Sequence, residues 1–181
     1  MTSPATSQLF DNTLWCDLVV PGRLHDETVA ADSGAEMRLR AIAFVEDGRI
    51  EDSEERQEKG PAFQRMEAKL DLLLALCGRL LAGQEAAPPP LSLRLSARGL
   101  VIHLPSQADS PASPRAVSLQ VADWLPDPVT LPVTEISRTT DDNGLHLALQ
   151  FDGLTPNLQE ALERHVFRLH RRNVAQQRQT R

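Results

Sequence analysis

Residues 91–104 read LSLRLSARGLVIHL, and their spacing decides the fold class. Leu91, Leu93 and Leu95 alternate with polar neighbours, and after Gly99 the alternation resumes at Leu100, Ile102 and Leu104, with Val101 and His103 opposite. A period of two marks a half-buried strand, so the stretch predicts a hairpin or two short strands joined through Ser96-Ala97-Arg98-Gly99. The pattern repeats downstream. AVSLQVADWLP supplies Val117, Leu119 and Val121, and VTLPVTEIS follows Pro126 and Pro128. LHLALQF then alternates Leu145, Leu147, Leu149 and Phe151 behind the turn Asp141-Asp142-Asn143-Gly144. Short strands at close spacing, separated by turn residues, predict a small antiparallel barrel or sandwich over residues 88–154.

Upstream the period changes to that of a helix. Pro61 can open PAFQRMEAKLDLLLALCGRLLAG, which stops at Gly83 before Pro88, Pro89 and Pro90. Phe63, Leu70 and Cys77 fall seven apart, as do Met66, Leu73 and Leu80, giving a and d positions of a heptad. Leu74 and Leu81 fall at e and Leu76 at g, so the apolar face is wider than a two-stranded seam requires. Six a/d side chains at roughly 2 kcal/mol each give on the order of 10 kcal/mol gross. Association costs roughly 4–15 kcal/mol in lost rigid-body freedom, so this helix can contribute to assembly or pack inside its own chain. Before it, AEMRLRAIAFVEDG places Met37, Leu39, Ile42, Ala43 and Val45 at helical spacing with Gly48 as a stop. The seven acids from Glu46 to Glu58 then read as a solvated connector. Residues 34–87 thus form a helical insertion, preceded by an N-terminal segment, 1–33, in which LWCDLVV is a candidate first strand closed by Pro21-Gly22.

At the other end Thr155 and Pro156 cap and open a helix over 155–175, with an apolar stripe of Leu158, Leu162, Val166 and Leu169. The net charge of −6 conceals +6 from Arg164 onward and −12 before it. Arg164, Arg168, Arg171 and Arg172, followed by a basic tail at 176–181, suit an acidic partner; equally, they complement a helix dipole. So acidic a total makes nucleic acid a poor candidate ligand.

Several function classes find no support. No run of about 18 apolar residues occurs, and the first residues lack a basic stretch leading into an apolar one, so the expectation is a cytoplasmic protein without a membrane span. Cys16 and Cys77 stand in unlike contexts with no CxxC, which argues against a disulfide framework or zinc site. His103 and His146 are candidate strand neighbours, yet no third ligand accompanies them, and no metal site is expected. Motifs for a serine nucleophile, a phosphate loop, a dinucleotide fold or a zinc protease are missing, so no catalytic residue is assigned.

Taken in order, these stretches resemble the PilZ domain, a bacterial module whose typical members bind cyclic di-GMP through a D/N-x-S-x-x-G loop at the second strand. Here RLSARG matches that loop at Ser96 and Gly99. The run His165, Phe167, Leu169 and Arg171 is similar to the helix that closes many PilZ proteins. The heptad helix containing MEAKLDLLL resembles an atypical subgroup in which inserted helices form a tetrameric coiled coil. The resemblance covers roughly residues 34–175. It implies an α+β fold: a PilZ-like antiparallel barrel with an N-terminal helical insertion and a C-terminal helix.

The departures bear on function. The RxxxR motif that precedes the barrel in typical receptors is absent: Arg38 and Arg40 are wrongly spaced, and between Gly60 and Arg94 only Arg65 and Arg79 occur, both on the heptad helix. Arg164, Arg168 and Arg172 have the right spacing but lie on the last helix, where it marks one face. At the first loop position Arg94 brings donors where the family pattern has acceptors. Ser96 and Gly99 fit a turn that uses a serine hydroxyl on nearby main chain and a positive φ at glycine.

The resulting expectation is a non-enzymatic homo-oligomer, with a tetramer favoured. Its interface would comprise Phe63, Met66, Leu70, Leu73, Leu74, Cys77, Leu80 and Leu81. It would serve as a scaffold in bacterial signalling or motility, with a protein partner and no required cofactor. The alternatives are a cyclic di-GMP receptor using Arg94, Ser96, Arg98 and Gly99, and a basic-tail module for an acidic protein or nucleic acid.

Overall fold

The computed structural model describes residues 4–28, 33–55, 66, 70, 73, 88–105, 112–122, 125, 127–142 and 144–179. A short helix α1 (Pro4–Gln8) precedes strand β1 (Trp15–His25), and a long helix α2 (Ser33–Glu55) follows. Strands β2 (Pro90–Ser96), β3 (Gly99–Leu104), β4 (Ala116–Leu119), β5 (Val129–Asp141) and β6 (Gly144–Phe151) lead to the closing helix α3 (Pro156–Gln179). The strands form a closed antiparallel barrel in the order β1-β2-β3-β6-β5-β4, with β4 returning to β1. Closure removes the unpaired edges that a sandwich would leave.

The core follows the alternation read from the sequence. Leu91, Leu93 and Leu95, then Leu100, Ile102 and Leu104, then Leu147, Leu149 and Phe151, fill the barrel together with Val117, Leu119, Leu131 and Cys16. Hairpin β5–β6 turns where Asp141 pairs with Gly144, which has φ +131. A side chain there would run into the Leu104 carbonyl.

β1 does not end at Pro21-Gly22. Residues Trp15–Pro21 pair with β2 and Gly22–His25 with β4, so the dipeptide is the corner at which one strand passes between two neighbours. A Cβ at Gly22 would lie 2.8 Å from Leu91 Cδ1 and 2.9 Å from the Ser118 carbonyl oxygen; glycine permits that close approach. The barrel therefore draws its first strand from the N-terminal segment, where LWCDLVV was the candidate, and the strand runs on past Pro21-Gly22 to His25.

α2 also differs from the expectation, because it continues through Gly48 to Glu55 instead of stopping at the glycine. An interior glycine costs about 1 kcal/mol relative to alanine, too little by itself to end a helix of otherwise good formers. Its buried face is Ala35, Leu39 and Ile42, while Met37 and Phe44 face solvent. α2 packs on α3 and β5, and α3 packs on α2 and β1. Thr155 Oγ1 accepts the Leu158 N–H at 3.2 Å and so caps α3, a contribution of about 1 kcal/mol. Leu158, Ala161, Leu162 and Val166 then join the main core. α3 runs to Gln179, so most of the segment read as a tail is helical.

Of the heptad positions, Met66, Leu70 and Leu73 are helical and about half exposed. Phe63, Leu74, Cys77, Leu80 and Leu81 lie outside the described residues.

Candidate functional site

The 96–99 loop is closed on the chain's own N-terminus. Ser96 is completely buried, and its hydroxyl donates to the Leu9 carbonyl oxygen at 2.7 Å, with the Gly99 carbonyl oxygen 3.1 Å away as a second acceptor. Ser96 Oγ in turn accepts the N–H groups of Arg98 (3.1 Å) and Gly99 (3.2 Å). One hydroxyl thus staples the turn and holds the segment after α1, leaving nothing for a ligand. Gly99 serves packing rather than a positive φ: among the described glycines only Gly144 and Gly153 adopt one. A Cβ at Gly99 would strike the Leu149 carbonyl oxygen and lie 2.9 Å from Leu9 Cδ2. The glycine is required because β3 and β6 approach closely under Leu9.

Leu9 is buried against Val101 and Ala148, with Phe10 and Ile136 beside them, in a cluster separate from the barrel core. Val101 and Ala148 point outward because their neighbours Leu100, Ile102, Leu147 and Leu149 point in. Ile136 reaches this face at a bulge between Glu135 and Ser137. Arg98 Nη1 donates to the Gln8 carbonyl oxygen at 3.3 Å. Beside these contacts lies a cavity of about 310 Å³, lined among others by Gln8, Arg98, Ile136, Gln150 and Gln159.

Arg94 is directed elsewhere. It pairs across the strands with Asp17, Nε to Oδ1 at 2.8 Å and Nη2 to Oδ2 at 3.2 Å, and its guanidinium lies 4.2 Å from the Trp15 ring centre. The four loop residues named from the sequence therefore do not converge on one site: Ser96, Arg98 and Gly99 close on Gln8 and Leu9, and Arg94 turns to Asp17 and Trp15. Sequence reasoning missed Gln8, Leu9 and Asp17. Their role depends on contacts across 77 to 90 positions of chain, for which no local signal exists.

Two of the α3 arginines are likewise engaged on the helix. Arg164 Nη2 bonds Glu160 Oε1 at 2.6 Å, and Arg171 lies 5.8 Å from the Phe167 ring centre. Arg168 and Arg172 stand near His165. His165 is buried, neither ring nitrogen finds a hydrogen-bond partner, and burial reinforced by those two cations pushes its imidazole down to about 4. Lower on α3, His170 Nδ1 lies 3.1 Å from the Trp15 carbonyl oxygen and Asn173 Nδ2 donates to that of Asp17 at 3.4 Å, seating the helix against β1.

His103 and His146 are register partners, and their Nδ1 atoms lie 2.6 Å apart with the rings edge to face. Asp141 Oδ2 lies 3.1 Å from His146 Nε2, off the hydrogen-bonding direction, since that nitrogen makes no hydrogen bond. Among the described residues no group of three or more His, Cys, Asp or Glu is placed to hold a metal ion. Nor is any described helix long and apolar enough to cross a membrane.

Comparison with known proteins agrees with this architecture. A Xanthomonas campestris pathogenic protein, described as a tetrameric PilZ domain self-assembled via an unusual helical bundle, is 39% identical. The match covers 94% of this chain and 95% of that one, with a TM-score of 0.74. Escherichia coli YcgR in complex with cyclic di-GMP matches 51% of this chain and 40% of that one, at 18% identity and a TM-score of 0.40. No curated protein matches. The family model for the atypical PilZ domain, described as a cyclic di-GMP receptor, matches residues 39–179, and the chain belongs to that family.

Proposed function

We propose that this chain is a non-enzymatic, cytoplasmic PilZ protein that self-associates through residues 61–83 and acts as a scaffold or regulatory partner without binding cyclic di-GMP strongly. The observation that carries the reading is the commitment of the loop: Ser96 to Leu9, Arg98 to Gln8, and Arg94 to Asp17 and Trp15. A ligand would have to displace Leu9 to reach the Ser96 hydroxyl, and would compete with Gln8, Asp17 and Trp15 for the two guanidinium groups. Self-association is supported by the half-exposed Met66, Leu70 and Leu73 at heptad spacing, and by the tetrameric description of a relative that matches nearly the whole chain.

The receptor reading retains one specific support, the cavity beside Arg98 in a family described as cyclic di-GMP receptors. The basic-tail reading is weakened by the engagement of Arg164 and Arg171 along their own helix. Light scattering and calorimetry on one sample test the proposal. The expected result is a mass near four times 20.0 kDa, with cyclic di-GMP affinity weaker than micromolar. A mass of one chain, or micromolar or tighter binding, overturns it.

A further inference from the structure

We propose that residues 4–12 form a displaceable strap over the 96–99 loop, such that seating of this segment and occupation of the same face by a cyclic dinucleotide exclude one another. The inference rests on the reading above, in which the wild-type chain binds cyclic di-GMP weakly, and supplies a cause for that weakness.

Four observations converge. Leu9 is anchored in its own small cluster with Val101 and Ala148, outside the barrel core, so lifting it leaves the core residues in place. Segments with such separate, small contact sets open locally without global unfolding. The strap uses the carbonyls of Gln8 and Leu9 to take the Arg98 guanidinium and Ser96 hydroxyl protons, the donors that a phosphate or guanine carbonyl oxygen of an arriving ligand would require. The cavity is walled on one side by Gln8 and Leu9, so withdrawal of the strap enlarges it over Arg98, Gln150 and Gln159. Finally, Asn12 has φ +54 between the strap and β1, a turn conformation that asparagine adopts more readily than most residues, so the strap meets β1 at a turn rather than as a continuation of the strand.

When a binding face is open only a fraction of the time, the apparent dissociation constant is the intrinsic one divided by that fraction. Unseating Leu9 should then tighten binding on the order of ten-fold or more, since the open fraction rises towards one. The test uses the full chain and two variants, Leu9→Asp and the milder Leu9→Ser. Each is first compared with wild type by circular dichroism, and amide exchange is followed over residues 4–14. Cyclic di-GMP is then titrated calorimetrically into all three. The expected result is fast exchange in the strap with the barrel intact, together with about ten-fold tighter binding in the variants. Variants that expose the strap but bind no better than wild type overturn the inference, as does wild-type binding that leaves exchange in residues 4–14 unchanged. The wild-type titration by itself decides the reading under the previous heading; the ratio between variant and wild type decides the strap.

Discussion

Replacement of His165 by leucine should abolish a defined part of the protein's acid sensitivity. The imidazole sits on α3, almost fully buried, with no partner for either ring nitrogen. Burial, and then the charges of Arg168 and Arg172, lower it from 6.5 to about 4. The unfolded chain therefore takes up a proton near its ordinary value while the folded chain does not, so stability is complete above that value and falls as the pH drops towards the folded one. The shift amounts to about 3 kcal/mol in full, at 1.36 kcal/mol per unit, and the loss reaches about 2 kcal/mol by pH 5. Urea unfolding of wild type and His165→Leu between pH 7.5 and pH 5, at one fixed protein concentration, measures the difference. Other groups titrate in both chains, so the variant should lose about 2 kcal/mol less than wild type over that range. Equal losses would refute the reasoning, because they would show that His165 is accessible to a proton in the native state.

Ser96→Ala should destabilise the chain by about 2–3 kcal/mol in urea, because the Leu9 carbonyl and the Gly99 amide lose their partner inside the structure. An unchanged midpoint would mean that the hydroxyl is not the staple described. Gly99→Ala should cost about 3 kcal/mol, since the new methyl meets the Leu149 carbonyl and the Gln150 Cα, both backbone and neither able to turn aside. Cys16 is buried, and burial raises its thiol to about 11, so in a Cys77→Ser chain a thiol reagent at pH 8 should modify it only after denaturant is added; rapid modification of that chain in its native state would contradict the place of Cys16 in the core. Leu73→Glu, which puts a charge at a half-exposed apolar heptad position, should lower the mass seen by light scattering, and a wild-type mass would remove this helix from the interface.

The barrel was legible because its strands turn an apolar face into the core, and alternation at Leu91–Leu95, Leu100–Leu104 and Leu145–Phe151 records that directly. The cap of α3 was equally plain, since Thr155-Pro156 acts within one turn. Other features were not local. Pro21-Gly22 has the composition of a strand end, and only the neighbouring strands β2 and β4 make it a corner. Gly48 resembles a helix stop, but the preference it expresses is small beside that of the residues on either side. On α2 the apolar spacing included Met37, yet the packed face is Ala35, Leu39 and Ile42, because α3 and β5 choose the side that is covered. Ser96 and Gly99 were recognised as a turn, but the reason each residue is needed lies in Leu9, which reaches them from the far end of the sequence. His165 follows Leu162 by three residues and Leu158 by seven, so helical spacing already sets it beside the apolar stripe; what the run does not disclose is that neither ring nitrogen finds a partner there.

The central claim is that the chain's own N-terminal segment occupies the face where a PilZ loop would meet a ligand. Nuclear Overhauser measurements on the full protein, with the methyl groups of Leu9, Val101 and Ala148 assigned, test it most directly. The account predicts cross-peaks from Leu9 to both of the others in the absence of any nucleotide. Leu9 methyls at random-coil shifts, with no cross-peak to either residue, would contradict it.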